Sequence, residues 1–157
     1  MKIDPLSWKI LTAVQNDGRI SLKALANDVG LSVPATSERL KRLEESGIIS
    51  GYSATILPEA IGYKVMTIIG MTTLQPNKTR LMQELNEMPE VIECLHVTGQ
   101  DSYLLRVVTR DLQHLEDFVG SINHFGETRT SIVLSHPIRM RSLKPVVPEQ
   151  KDLINED

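Results

Sequence analysis

Three residues, Gly30-Leu31-Ser32, separate two stretches of helical periodicity, and that short turn constrains the fold more than any other feature of the chain. Before it, Ser21 is an N-cap candidate, and Leu22, Leu25, Ala26 and Val29 recur at helical spacing. Gly30 suits the left-handed position that stops a helix. After the turn, Ser32 caps a third helix whose first turn tolerates Pro34. Leu40 and Leu43 face inward there, and Gly47 closes it. A first helix starts at Asp4-Pro5, carries Leu6, Ile10, Leu11 and Val14, and ends at Asn16-Asp17-Gly18. Two short amphipathic helices joined by a three-residue turn containing Gly form the helix-turn-helix signature.

The chain has 157 residues, enough for one medium domain or two small ones, and its 41% hydrophobic content is ordinary for a globular protein. No apolar run approaches the ~20 residues of a membrane-spanning helix. The opening MKIDPLSWKI is interrupted by Asp4 and Pro5 and does not read as a secretory signal. A single cysteine, Cys94, excludes an internal disulfide framework and a zinc ribbon, so a reduced, cytoplasmic protein is expected. The net charge of −3 announces no global basic field. Its distribution is uneven. Residues 1–63 hold seven Lys/Arg and seven Asp/Glu, whereas 64–157 hold ten against thirteen.

Beyond the helices, residues 48–57 are rich in β-branched side chains and predict a strand. Leu57–Gly62 reads as a hinge, with a domain boundary near it. The second half alternates. Strands are expected at Val65–Leu74, Val91–Thr98, Tyr103–Thr109 and Thr128–Ser135. One helix opens at Pro76-Asn77 and ends at Pro89, and another runs from the Asp111 cap to Gly126. This β-α-β-β-α-β order is the ferredoxin-like pattern. Both helices then lie on one face of the sheet. Ile, Val, Leu and Met on both faces of the strands predict that another subunit covers the second face. Residues 144–157 contain two Pro, end acidic and predict a poorly ordered tail.

The third helix carries the most chemistry. Ser32, Val33, Thr36 and Ser37 are small or polar side chains in its first turns and suit close approach to base edges in a major groove. Arg39, Lys41 and Arg42 suit phosphates, which position a protein without reading sequence. The competing view is a solvated face with pairs such as Glu38–Arg42, on a helical hairpin that only packs. Gly99-Gln100-Asp101-Ser102-Tyr103 is either a plain hairpin turn or a small-ligand loop. In the second case exposed N–H groups, Asp101 and Ser102 would meet the carboxylate and ammonium of a free amino acid.

Catalysis finds no foothold. Cys94 and His96 share a strand face, but no further Cys/His pair joins them, and a buried cysteine beside a partly exposed histidine is expected. His114, His124 and His136 are scattered. Glu84, Glu87, Glu90 and Glu93 cross a helix end at Pro89 and read as a solvated face. The expectation is no enzyme, no catalytic residue, no metal and no cofactor. A second DNA-linked reading, an architectural protein that wraps DNA without an effector, stays open.

Several stretches together resemble the Lrp/AsnC, or feast/famine, family of transcription regulators. They are Ile10-Leu11, Asp17-Gly18-Arg19-Ile20-Ser21, Leu25-Ala26, Val29-Gly30-Leu31-Ser32, the run from Arg39 to Ile49, and Gly51-Tyr52. Val97-Thr98-Gly99 with Tyr103-Leu104-Leu105 resembles the family's sensor loop. The resemblance implies an α+β chain. A winged-type helix-turn-helix domain (1–50) would be followed by a strand and hinge linker (51–63). A ferredoxin-like βαββαβ domain (64–140) and a C-terminal tail (141–157) would complete it. It also implies sequence-specific binding to double-stranded DNA and dimers through sheet-to-sheet packing. Tetramers or octamers, and an amino-acid effector between dimers, are implied as well. Two positions depart from the family pattern. Ser7 stands where an acidic residue is common. Ser102 stands where Gly-x-x-Asp-Tyr would place its carboxylate, so Asp101 comes one residue early, and one residue reverses direction on a strand.

Overall fold

The computed structural model describes residues 3–146, the side chain of Gln75 excepted. The chain divides into two compact units, Met1–Ala54 with Ile138–Asp157, and Thr55–Pro137.

The first unit is built on three helices, α1 (Pro5–Asn16), α2 (Leu22–Val29) and α3 (Val33–Glu45). Each start is fixed by the expected side chain. Asp4 accepts from the Ser7 N–H, Ser21 from Ala24 and Ser32 from Ala35, which satisfies donors that a helix leaves unpaired. Gly30 takes φ 76°, a left-handed geometry that lets the chain turn at once into α3. Ile10, Leu11, Leu25, Val29 and Leu43 form the core between the helices.

Residues 48–57 form no strand. β-branched composition favours extended backbone, but a strand also needs a ladder, and no described segment pairs with these residues. The C-terminal segment returns to α1. The Leu143 N–H donates to Gln15 Oε1 at 2.7 Å, Gln15 Nε2 donates to the Leu143 carbonyl at 3.3 Å, and Ser142 Oγ donates to Asn16 Oδ1 at 2.9 Å. One amide side chain thus serves both backbone groups of Leu143, an attachment that tail composition does not reveal. From residue 147 the expected loose tail lies outside the described residues.

The second unit begins with a 3-10 turn at Pro58–Ile61. It continues as β1 (Val65–Thr73), α4 (Lys78–Glu87), β2 (Val91–His96), β3 (Tyr103–Thr109), α5 (Leu112–Ile122) and β4 (Gly126–Ile132). The strands form one antiparallel sheet in the order β2-β3-β1-β4. Ile69, Met71, Leu105 and Val107 pack beneath Leu81 and Leu85 of α4 and Leu115, Phe118 and Ile122 of α5. Both helices therefore share one face.

Register assigns the opposite face. Met66, Ile68, Gly70 and Thr72 of β1 lie there with Leu104 and Arg106 of β3, Leu95 of β2 and Arg129 of β4. β4 opens at Gly126, two residues before the expected start. Gly126 does not stop α5. A 3-10 turn at Asn123–Phe125 intervenes, and the glycine is needed where β4 passes close to the backbone of β1.

Candidate DNA-binding surface and effector loop

Helical geometry sorts the residues of α3 into two sets. Ser32, Val33, Ser37, Lys41 and Arg42 are exposed. Val33, Ser37 and Lys41 follow one another at intervals of four and so share a stripe. Lys41 Nζ lies 3.5 Å from Glu45, and Arg42 Nη2 lies 3.0 Å from Glu38. Both are solvated i,i+4 pairs of small energetic weight, so either cation can exchange its carboxylate for another anion at little cost.

Thr36 corrects the expectation that it approaches base edges. It is 0% exposed, and its Oγ1 donates to the Ser32 carbonyl at 3.0 Å. Its position with Leu40 and Leu43 on the inward side of α3 explains this, since residues at i, i+4 and i+7 share a face. Arg39 also turns inward. Its Nη1 donates to Asp4 Oδ2 at 2.6 Å and to Ser7 Oγ at 3.4 Å. The Ser7 N–H first, and then Arg39, hold the Asp4 carboxyl at about 2. Ser7 is itself buried.

Tyr52 extends this surface. Its hydroxyl donates to Glu44 Oε1 at 2.9 Å, and burial followed by that carboxylate pushes the phenol up to about 12. It lines two recesses of the helical unit. One, of about 270 Å³, also touches Trp8, Leu11, Ile49 and Leu143. The other touches Gly18, Ser37 and Lys41.

In the second unit the β2–β3 loop is closed by the Val97 N–H donating to the Ser102 carbonyl at 3.0 Å, and the Ser102 N–H donates to Met71 at 2.9 Å. Asp101 lies on the sheet face without helices, above Gly70. A Cβ on Gly70 would meet the Asp101 carboxylate at 2.5 Å, so a larger residue there pushes that carboxylate aside. Arg129 Nη2 pairs with Asp101 Oδ1 and donates to Thr72 Oγ1 at 3.4 Å. Thr72 Oγ1 in turn donates to the Gln100 carbonyl at 3.1 Å. Tyr103 turns the other way. It is buried on the helix side, with its ring centroid 5.0 Å from that of His96. The five loop residues therefore do not form one surface. Gly70, Thr72 and Arg129 join Gln100 and Asp101, and no local motif marks them, because only the register brings them together.

Cys94 is exposed, not buried as expected, because β2 is an edge strand. Partial desolvation still pushes its thiol pKa up, which disfavours the reactive thiolate. Among the described residues no three His, Cys, Asp or Glu side chains gather as a metal site, and no helix is long and apolar enough to cross a membrane.

A helix-turn-helix with an exposed third helix, ahead of a ferredoxin-like sheet, defines a two-part DNA-binding regulator. Comparison with known proteins makes this specific. Residues 3–50 match the winged helix-turn-helix DNA-binding family, and residues 67–143 match the Lrp/AsnC ligand binding domain. The chain belongs to the Lrp/AsnC family, whose members are transcription regulators and not enzymes. It is 35% identical over 136 residues to the HTH-type transcriptional regulator LrpA of Mycobacterium tuberculosis, covering 85% of this chain and 91% of the relative. It is 32% identical over 135 residues to the regulator FL11 of Pyrococcus furiosus, covering 84% and 89%. Among solved structures, a feast or famine regulatory protein of M. tuberculosis complexed with L-methionine matches with TM-score 0.84 and 33% identity. That match covers 92% of this chain and all of the other. A Neisseria meningitidis transcriptional regulator in complex with L-methionine matches with TM-score 0.84 and 28% identity, covering 91% and 97%.

Proposed function

We propose that this regulator acts in the cytoplasm and binds double-stranded DNA through residues 1–50. Ser32, Val33 and Ser37 of α3 meet base edges, and Lys41 and Arg42 meet phosphates. Residues 64–137 join copies of the chain and take up a small amino acid near residues 99–103, with residues 51–63 as the linker. The observation that carries this reading is the exposed Val33–Ser37–Lys41 stripe on a helix that follows a three-residue turn. A two-fold dimer would set two such helices about one DNA turn apart. Support for pairing comes from Met66, Ile68, Leu95 and Leu104, apolar side chains on the sheet face that no helix covers. Tetramers or octamers would follow from further contacts between dimers.

Support for an amino-acid effector comes from the two relatives crystallised with L-methionine. In this chain Asp101 and Arg129 offer one carboxylate and one guanidinium, the complement of a zwitterion. Such an effector acts only by favouring one assembly or DNA-bound state over another. The same pair also favours a second reading. Asp101 is already neutralised by Arg129, so the loop needs no ligand, and the protein would then organise DNA without an effector.

Fluorescence anisotropy with the DNA upstream of the protein's own coding region tests both. Titrations run at two salt concentrations, with and without L-methionine and then a pool of the twenty amino acids. Tight, salt-dependent binding that shifts with an amino acid supports the sensor. Binding indifferent to all of them supports the architectural reading. Absence of binding to this and to unrelated DNA overturns the DNA assignment.

A further inference from the structure

Charge is uneven along the chain. Residues 1–54 with 138–146 hold ten Lys/Arg against six Asp/Glu, residues 55–137 hold six against ten, and residues 147–157 hold one against four. Three of the ten cations, Arg139, Arg141 and Lys144, come from the C-terminal segment. Residues 1–54 alone are nearly neutral, with seven against six. No Asp or Glu occurs between Glu127 and Glu149. Arg139, Arg141 and Lys144 are exposed, and none is in a salt bridge among the described residues.

We infer that Ile138–Val146 is a second DNA-contacting element, an arm that lays Arg139, Arg141 and Lys144 on backbone phosphates beside the helix-turn-helix. This inference rests on the DNA-binding reading above. Its geometry rests on the anchor. Leu143 and Ser142 are bonded to Gln15 and Asn16 at the end of α1, and the chain runs from there through Arg19 into the start of α2. In a docked helix-turn-helix the first helix of the motif crosses the phosphate backbone. Leu143 also shares a recess with Tyr52, which reaches toward Lys41 on its other side. The arm therefore sits at the flank of the proposed contact surface. Its cations would add sequence-independent affinity, because each phosphate neutralised releases condensed counterions.

The test uses the full chain and two duplexes of equal length, one from upstream of its coding region and one unrelated. The variant Arg139→Gln/Arg141→Gln/Lys144→Gln is expected to lower the salt slope by between two and three, at ~0.9 per phosphate contact, and to weaken both duplexes evenly by roughly tenfold or more. Gln15→Ala keeps every charge but loosens the anchor, and a smaller loss on both duplexes is expected. Lys41→Ala is the control on α3. If Lys41→Ala lowers the slope and the triple variant does not, the arm proposal fails and the DNA reading stands. If the wild type binds neither duplex, both fail. If the triple variant keeps its slope but changes molar mass in light scattering, the arm binds a second copy of the chain, and the proposal is overturned.

Discussion

Arg39 in the middle of α3 and Asp4 at the start of α1 are joined at 2.6 Å, so this cation of the third helix serves the protein's own helix cap. Arg39→Gln is expected to lower the melting temperature and leave the salt slope of DNA binding unchanged. Lys41→Ala is expected to leave the melting temperature nearly unchanged and lower the slope by roughly one. Thermal melts by circular dichroism and anisotropy titrations at several salt concentrations check the contrast. A reduced slope in Arg39→Gln would return Arg39 to the phosphate contacts.

The same pair makes stability depend on pH. The Asp4 carboxyl titrates at about 2 in the folded protein against 3.8 ordinarily. A lowered carboxyl pKa stabilises the fold above the unfolded value and loses that contribution as pH falls through the folded one. Asp4→Asn keeps a good N-cap but removes the charge. It is therefore expected to be less stable than wild type at neutral pH, with the gap closing between about pH 4 and 2. A constant gap across that window, in chemical denaturation, would contradict the assignment.

Thr36 separates packing from recognition. Thr36→Ala removes a buried methyl and a hydroxyl donated to the Ser32 carbonyl. The expected loss is about 1–2 kcal/mol of stability, with sequence preference unchanged. Ser37→Ala, one residue on and exposed, is expected to do the reverse. Urea melts and a panel of mutated duplexes distinguish the two outcomes.

Gly126 is required by close approach. A Cβ there would lie 2.0 Å from the Thr72 carbonyl oxygen, and backbone on both sides cannot yield cheaply. Gly126→Ala is expected to cost about 1–3 kcal/mol or more and to loosen the β1–β4 ladder. Hydrogen exchange of β4 amides would show the loss locally, and unaltered protection would refute it.

Gly70 tests the loop. Gly70→Ala displaces the Asp101 carboxylate from its place beside Arg129. On the sensor reading, the response of DNA binding to an amino acid changes in this variant while binding without one is kept. On the architectural reading, neither changes.

Local rules reached far in this chain. Asp4, Ser21, Ser32 and Asp111 all cap the helices that their positions predict, because a cap depends only on a side chain and a backbone N–H three residues away. Tyr103–Thr109 is a strand with the predicted bounds. What stayed hidden depends on distance along the chain. Arg129 and Asp101 are 28 residues apart, and Leu143 and Gln15 are 128 apart. No periodicity encodes either meeting. Thr36 departs from expectation for a different reason. Its residue type suits a groove, but its place in the 3.6-residue repeat points it inward.

Because residues 138–146 rejoin the helical unit, the sheet domain is an insertion within a discontinuous one. The helical unit cannot be excised by a single cut. A fragment ending at Ala54 leaves the Gln15 side chain without the Leu143 backbone it bonds. A truncation meant to remove only the tail would alter the DNA-binding half, and its phenotype would be mistaken for a defect in sensing or assembly.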